Sequence, residues 1–148
     1  MVKKLQVSIK NVKFGRNVKI IEPVNLYDCY IGDNTFIGPF VEIQKNVKIG
    51  KNCRIQSHTF ICENVKIGNN CFIGHGVNFI NDKFTDKKLN RDPKKFLPTI
   101  ISNNVRIGSN ATILPITINE NTVIGAGSVV TKNCNKNFKY FGNPAKKK

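Results

Sequence analysis

The chain contains two histidines, His58 and His75. Imidazole is the side chain that titrates between pH 5 and 8 and the commonest proton acceptor in group transfer, so the placement of these two decides what chemistry is available. His58 lies three residues after Ile55 and His75 lies two after Ile73, and the two isoleucines are 18 residues apart. If 18 residues is a vertical repeat, both histidines stand at one corner of adjacent layers, stacked at roughly 4.8 Å. The next corner begins with Asn81 and Asp82. The expectation is one shallow site lined by His58, His75, Asn81 and Asp82, in which an imidazole acts as general base and an amide or carboxylate orients it or the substrate. The plainer alternative is that a histidine at a corner replaces the usual asparagine, Asn81 ends a strand and Asp82 solvates a loop.

The elements that must position these groups follow from an internal repeat. Isoleucine recurs every six residues at Ile31, Ile37, Ile43, Ile49, Ile55, Ile61, Ile67 and Ile73, with Phe79 next in line. Two residues before each stands a small or β-branched residue, from Cys29 and Thr35 to Cys71 and Val77. Six is not a helical period. Two inward residues separated by one outward residue make a very short strand, and the Gly and Asn that follow tolerate the positive φ of a tight corner. Such strands cannot bury their apolar side alone, so they must coil and stack as a parallel β-helix with three hexads per coil.

The beat extends upstream through Phe14, Ile20 and Leu26, and a one-residue slip joins these to Ile31. Downstream it resumes at Ile101, Ile107 and Ile113, then continues after a second slip at Ile118, Ile124 and Val130. Between Phe79 and Ile101 it stops. Residues 81–98, with Lys83, Asp86, Lys87, Lys88, Arg91, Lys94 and Lys95, form a polar excursion too long for an ordinary connector and so marked as functional. The same arithmetic puts Cys53 above Cys71 inside the coil and Phe36, Arg54 and Phe72 in one outward column. Exposed aromatic residues on a solenoid exceed what its own folding needs, which points to a subunit contact or to local packing.

Composition narrows the class. The 148 residues carry 24 Lys and Arg against 9 Asp and Glu, a net charge of +15, with 40% hydrophobic residues. One domain spanning 1–148 is the expectation. No apolar run reaches the roughly 20 residues that span a bilayer, and the basic start at Lys3 and Lys4 is not followed by a signal-peptide apolar stretch. A cytoplasmic protein without membrane partners is expected. The lysines are scattered and mixed with asparagines, with no nucleic-acid motif, so the charge is read as an attraction for anionic small molecules rather than nucleic acid. Five cysteines, an odd number without C-x-x-C spacing, fit neither a disulfide framework nor a zinc site, and no metal is expected.

The repeats, the loop after Phe79, the segment Ile124-Gly125-Ala126-Gly127-Ser128-Val129-Val130-Thr131-Lys132 and the ending Gly142-Asn143-Pro144-Ala145-Lys146 together resemble the hexapeptide-repeat acyltransferases over nearly the whole chain. Within that superfamily, the run from Gly74 through His75 and Asn81 to Phe84 is similar to N-acetyltransferases of nucleotide-linked amino sugars, 3-amino sugars especially. The resemblance implies a left-handed all-β parallel helix assembled as a homotrimer, with acetyl-CoA along the groove between subunits. It implies coenzyme contacts from Ala126, Gly127, Ser128, Lys132, Asn143, Pro144 and Lys146. For the substrate side it implies Asn81 and Asp82, with Lys83, Phe84 and Arg91 in the adjoining loop. The left hand comes from the resemblance alone, since crossover connections otherwise favour the right.

Two departures from the family pattern stand out. Ile116 follows Pro115 directly where a glycine is usual, and Asn119 occupies a second glycine position, so the coenzyme groove is expected to be reshaped there. Thr85-Asp86 replaces a common Pro-Arg pair, leaving Arg91 to supply that contact.

The implied reaction is acetyl transfer from acetyl-CoA to the amine of a nucleoside-diphosphate-linked sugar, serving surface polysaccharide or lipopolysaccharide assembly. The amine attacks the thioester directly while His75, His58 or Asn81 assists. The alternatives are a hexapeptide acyltransferase with another acceptor, such as a simple sugar, antibiotic or amino acid, and a non-catalytic solenoid scaffold. A zinc enzyme of the γ-carbonic anhydrase type would need three histidines, and the chain has two.

Overall fold

The computed structural model describes residues 1–85 and 88–148. Asp86 and Lys87 of the polar excursion lie outside the described residues. The hexads form two- and three-residue strands on three faces of a parallel β-helix, the left-handed architecture that the resemblance implies. The first face stacks Ile9–Lys10, Asn25–Tyr27, Glu42–Ile43, Phe60–Ile61, Asn78–Phe79, Thr112–Ile113 and Val129–Val130. The second stacks Lys13–Phe14, Tyr30–Ile31, Lys48–Ile49, Val65–Ile67, Thr99–Ile101 and Thr117–Ile118. The third stacks Lys19–Ile20, Phe36–Ile37, Arg54–Ile55, Phe72–Ile73, Arg106–Ile107, Val123–Ile124 and Lys139–Phe141. Lys146–Lys147 folds back antiparallel on the last of these.

The isoleucines align as their spacing requires. Ile37, Ile55, Ile73, Ile107 and Ile124 are in register on the third face, and all five are buried. Burying each such side chain contributes about 1.5–3 kcal/mol, and no coil can do so without its neighbours. The slips are absorbed as coils one residue shorter: Leu26 pairs with Ile43 and Ile101 with Ile118. Cys53 and Cys71 do share an inner column, their thiols 3.1 Å from the Gly68 and Ser102 carbonyl oxygens of the coil above.

The two ends differ from the sequence expectation. At the start, Ile9–Lys10 adds a strand that pairs with Leu26 and Tyr27, while Phe14 is 42% exposed because the coil beneath it is incomplete. At the finish, what reads as a short tail is a hairpin: Tyr140 continues the inner column beside Ile124 and Phe141 pairs with Lys146.

Corners carry the positive φ, and asparagine supplies it nearly everywhere. Between the second and third faces it does so in every coil, at Asn17, Asn34, Asn52, Asn70, Asn104, Asn121 and Asn137, with φ between 55° and 67°. Their amides form a ladder: Asn34 Nδ2 donates to Asn52 Oδ1 and Asn52 Nδ2 to Asn70 Oδ1, each at 3.2 Å. Asn11, Asp28, Asn46 and Asn64 do the same between the first and second faces. The third-to-first corner breaks the rule with Phe40, His58, Gly76 and Gly127 and keeps it at Asn110.

Candidate active site on the third-to-first edge

Short polar side chains adopt the left-handed conformation at least cost, so an edge that keeps asparagine at Asn110 alone, and elsewhere uses Phe40, His58, Gly76 and Gly127, has been built for something other than turning. Reading up this edge, the middle residue of the corner is Pro39, then Ser57, His75, Ser109 and Ala126. Backbone bonds between coils fix the order: His58 N–H donates to Pro39 O at 3.1 Å, Gly76 N–H to Ser57 O at 3.0 Å, Asn110 N–H to His75 O at 2.8 Å and Gly127 N–H to Ser109 O at 2.8 Å.

The two histidines therefore share a corner of adjacent coils, as their spacing predicts, but they occupy different columns. His58 stands at the positive-φ position, φ 63°, and its ring stacks on Phe40 at 4.9 Å between centroids. His75 stands one position earlier in its own coil, directly over Ser57, and its Nδ1 lies 2.8 Å from the Ser57 hydroxyl. Both rings are exposed. The 18-residue spacing brings both histidines to one corner, and the same step back from His75 leads to Ser57, a residue that sequence reasoning missed.

Ala126 and Gly127 lie on this same edge, two coils above His75, about 10 Å along the stack at roughly 4.8 Å per coil. Both are exposed, and a Cβ placed on Gly127 would have nothing within 4 Å. Above His75, past Ser109 and Asn110, the surface opens onto the small residues Ala126 and Gly127, which can admit a slender chain. Its floor is fixed by packing, because a Cβ on Gly125 would collide with the Phe141 ring. Ser128 is buried, and its Oγ accepts a hydrogen bond from Gly142 N–H at 3.1 Å. It pins the terminal turn rather than facing a ligand. Val129 N–H donates to Gly142 O at 3.0 Å and Ala145 N–H to Val129 O at 2.8 Å, holding Asn143 and Pro144 exposed at the top of this edge. Lys146 is exposed in the returning strand.

The substrate-side residues are elsewhere. The strand Asn78–Phe79 carries the chain across the first face before Asn81 is reached, so His75 and Asn81 stand at successive edges and one chain does not bring them into a single site. The excursion leaves from the next corner, as the sequence places it, and the two corners do not merge into one shallow site on one chain. Lys132 follows the strand Val129–Val130 and lies at that second edge too. The excursion is closed at its base by Leu97 N–H donating to Asn81 O at 3.1 Å. Asp82 Oδ1 accepts from Phe84 N–H at 2.7 Å, and Asp92 caps the single turn Pro93–Lys95. Lys83, Phe84 and Arg91 are exposed.

Two models of known families match the chain: bacterial transferase hexapeptide (six repeats) over residues 28–63, and the hexapeptide repeat of succinyl-transferase over 64–77 and 98–132. Together they cover more than half of it. The chain belongs to the hexapeptide-repeat transferase family. Among curated relatives of this hexapeptide-repeat protein, the bifunctional protein GlmU of Wigglesworthia glossinidia brevipalpis is 37% identical over 142 residues, covering 88% of this chain. A Clostridium botulinum GlmU is 35% identical over 134 residues, covering 84%. The chain spans about 30% of the length of these relatives. Among solved structures, AntD, an N-acyltransferase from Bacillus cereus in complex with dTDP and coenzyme A, superposes with a TM-score of 0.81 at 22% identity, over 91% of this chain and 81% of AntD. PerB from Caulobacter crescentus, in complex with CoA and GDP-perosamine, superposes at 0.66 with 17% identity, over 95% of this chain and 57% of PerB. At these identities the superpositions show a shared fold.

The departure from the family pattern at Ile116 and Asn119 falls away from the histidine edge. Pro115 and Ile116 are buried between the first and second faces, where Ile116 O accepts from Ile100 N–H at 3.0 Å. Asn119 turns the second-to-third corner, and its Nδ2 donates to Cys134 O at 2.8 Å. The glycine missing after Pro115 shortens one coil at the first-to-second corner, away from the edge that carries His75.

Proposed function

We propose that this hexapeptide-repeat protein transfers an acetyl group from acetyl-CoA to the amine of a nucleotide-linked amino sugar. The observation that carries the reading is the third-to-first edge, the corner column where Phe40, His58, Gly76 and Gly127 stand at the positive-φ position and asparagine remains only at Asn110. There an exposed imidazole, held on one ring nitrogen by Ser57, stands below a strip of small residues ending at Ala126 and Gly127. Family membership and the fold shared with AntD and PerB support it.

In this reading the pantetheine of acetyl-CoA lies along the small-residue strip at Ala126 and Gly127, Asn143, Pro144 and Lys146 serve its polar end, and Lys132, at the neighbouring edge, reaches it from an adjacent subunit. The neutral amine attacks the thioester carbon, a C–N bond forms and the C–S bond breaks. His75 takes the proton lost by nitrogen and returns it to the departing thiolate, and backbone N–H groups of the edge stabilise the oxyanion. Positioning supplies much of the rate, because a neutral amine is already nucleophilic. Asn81, Asp82, Lys83, Phe84 and Arg91, at the neighbouring edge, serve the sugar from an adjacent subunit of a homotrimer. The net charge of +15 draws in both anionic substrates.

The test is thiol release from acetyl-CoA against a panel of nucleotide-linked 3-amino and 4-amino sugars, with mass analysis of the sugar product. One acetyl group gained on one sugar, by a protein sedimenting as a trimer, is the expected result. Absence of coenzyme A binding by calorimetry would overturn the reading and favour a scaffold.

A further inference from the structure

We propose that Ser57 is a positioning residue that fixes the tautomer of His75, holding the proton on Nδ1 so that Nε2 presents its lone pair to the groove. This rests on the reading of His75 as the base. The hydroxyl of Ser57 lies 2.8 Å from His75 Nδ1, and the two residues come from adjacent coils whose backbones are tied at this corner. Gly76 N–H donates to Ser57 O at 3.0 Å and Asn110 N–H to His75 O at 2.8 Å. The pair is therefore set by the ladder rather than by a mobile loop. Ser57 is half-buried while His75 is exposed, and among the described residues Nε2 makes no hydrogen bond. The ring has one nitrogen turned to the protein and one to solvent.

A neutral imidazole has one donor and one acceptor nitrogen, and the partner of one decides the role of the other. Serine can accept from Nδ1–H whether the ring is neutral or charged, and the bond strengthens when Nε2 takes a proton and the ring becomes cationic. In the opposite arrangement the hydroxyl donates to Nδ1, Nε2 carries the hydrogen and no lone pair faces the amine. Proton transfer therefore runs through the first arrangement alone. Among the described residues His58 has no such partner, and its ring stacks on Phe40.

The decisive measurement is the nitrogen-15 spectrum of the His75 ring in the ligand-free protein, alongside kinetics of Ser57→Ala and Ser57→Thr. The wild type is expected to show a protonated Nδ1 and a bare Nε2 when neutral. Ser57→Ala is expected to give a mixture of tautomers and to lower kcat roughly tenfold with KM for both substrates unchanged. Ser57→Thr, which keeps the hydroxyl, is expected to restore both. In a His75→Asn background Ser57→Ala is expected to have no further effect. A spectrum unaltered by Ser57→Ala, a wild type protonated on Nε2, or an acetyl adduct trapped on Ser57 would each overturn the assignment. Full activity of His75→Asn would instead overturn the reading of His75 as base and leave the spectroscopic result standing.

Discussion

At the scale of single residues, the two histidines part company. His75→Asn removes the exposed base without disturbing the buried column, and kcat is expected to fall by about 100-fold with the melting temperature unchanged. His58→Asn puts at a positive-φ position the residue found at most others in this chain, and it is expected to reduce kcat far less while holding or raising stability. Comparing kcat of the two variants checks the assignment: it is lost with His75 and largely kept without His58. The sequence could bring these residues to one corner because their distance from Ile55 and Ile73 is fixed by the hexad. It could not say which ring would meet a hydroxyl, since a one-position offset at a corner changes a stack on Phe40 into a bond to Ser57.

At the scale of the element, the corner is the unit that sequence pattern specifies best. The Gly-x-Asn signature predicts the positive φ at Asn17, Asn34, Asn52, Asn70 and Asn110, and the amide ladder between Asn34, Asn52 and Asn70 follows from stacking identical corners. Asn52→Ala loses a rung on either side and places alanine at φ 57°, so it is expected to cost about 1–2 kcal/mol in denaturant unfolding. Gly125→Ala is a different case, because the colliding atom is the Phe141 ring. The terminal hairpin is expected to shift, weakening coenzyme A binding more than it lowers the melting temperature. The excursion was legible as an interruption of the beat, and its departure from the next edge follows from counting six residues past Ile73. Its path was not legible, because a loop closed by the bond from Leu97 to Asn81 carries no period. The terminal hairpin was hidden for a similar reason: Tyr140 lies 16 residues from its partner Ile124, outside the spacing that announced the other coils.

At the scale of the molecule, stability is nearly one-dimensional, with each coil resting on the two beside it. Ile55→Ala or Ile73→Ala opens a cavity between coils and is expected to cost about 2–5 kcal/mol. The buried thiols add a dependence on alkali. Burial pushes Cys29 and Cys134 up to about 11 and Cys62 to about 12, from an ordinary 9.0. The unfolded chain therefore loses these protons first as pH rises. The associated stability is complete below about pH 9 and is lost between there and pH 11–12. A thermal melt series is expected to be flat to pH 8 and to decline above 9, with the thiols unreactive toward alkylating reagents until unfolding.

The antiparallel return of Lys146–Lys147 along Lys139–Phe141 also bears on how the molecule avoids its own kind. A stack of parallel strands invites another chain to add to its open border, the step by which fibrils elongate. Here the outermost strand of the third face has its free amides and carbonyls already taken, by a segment ending in lysines. Deleting that segment is predicted to leave the coils folded and to make them prone to join end to end.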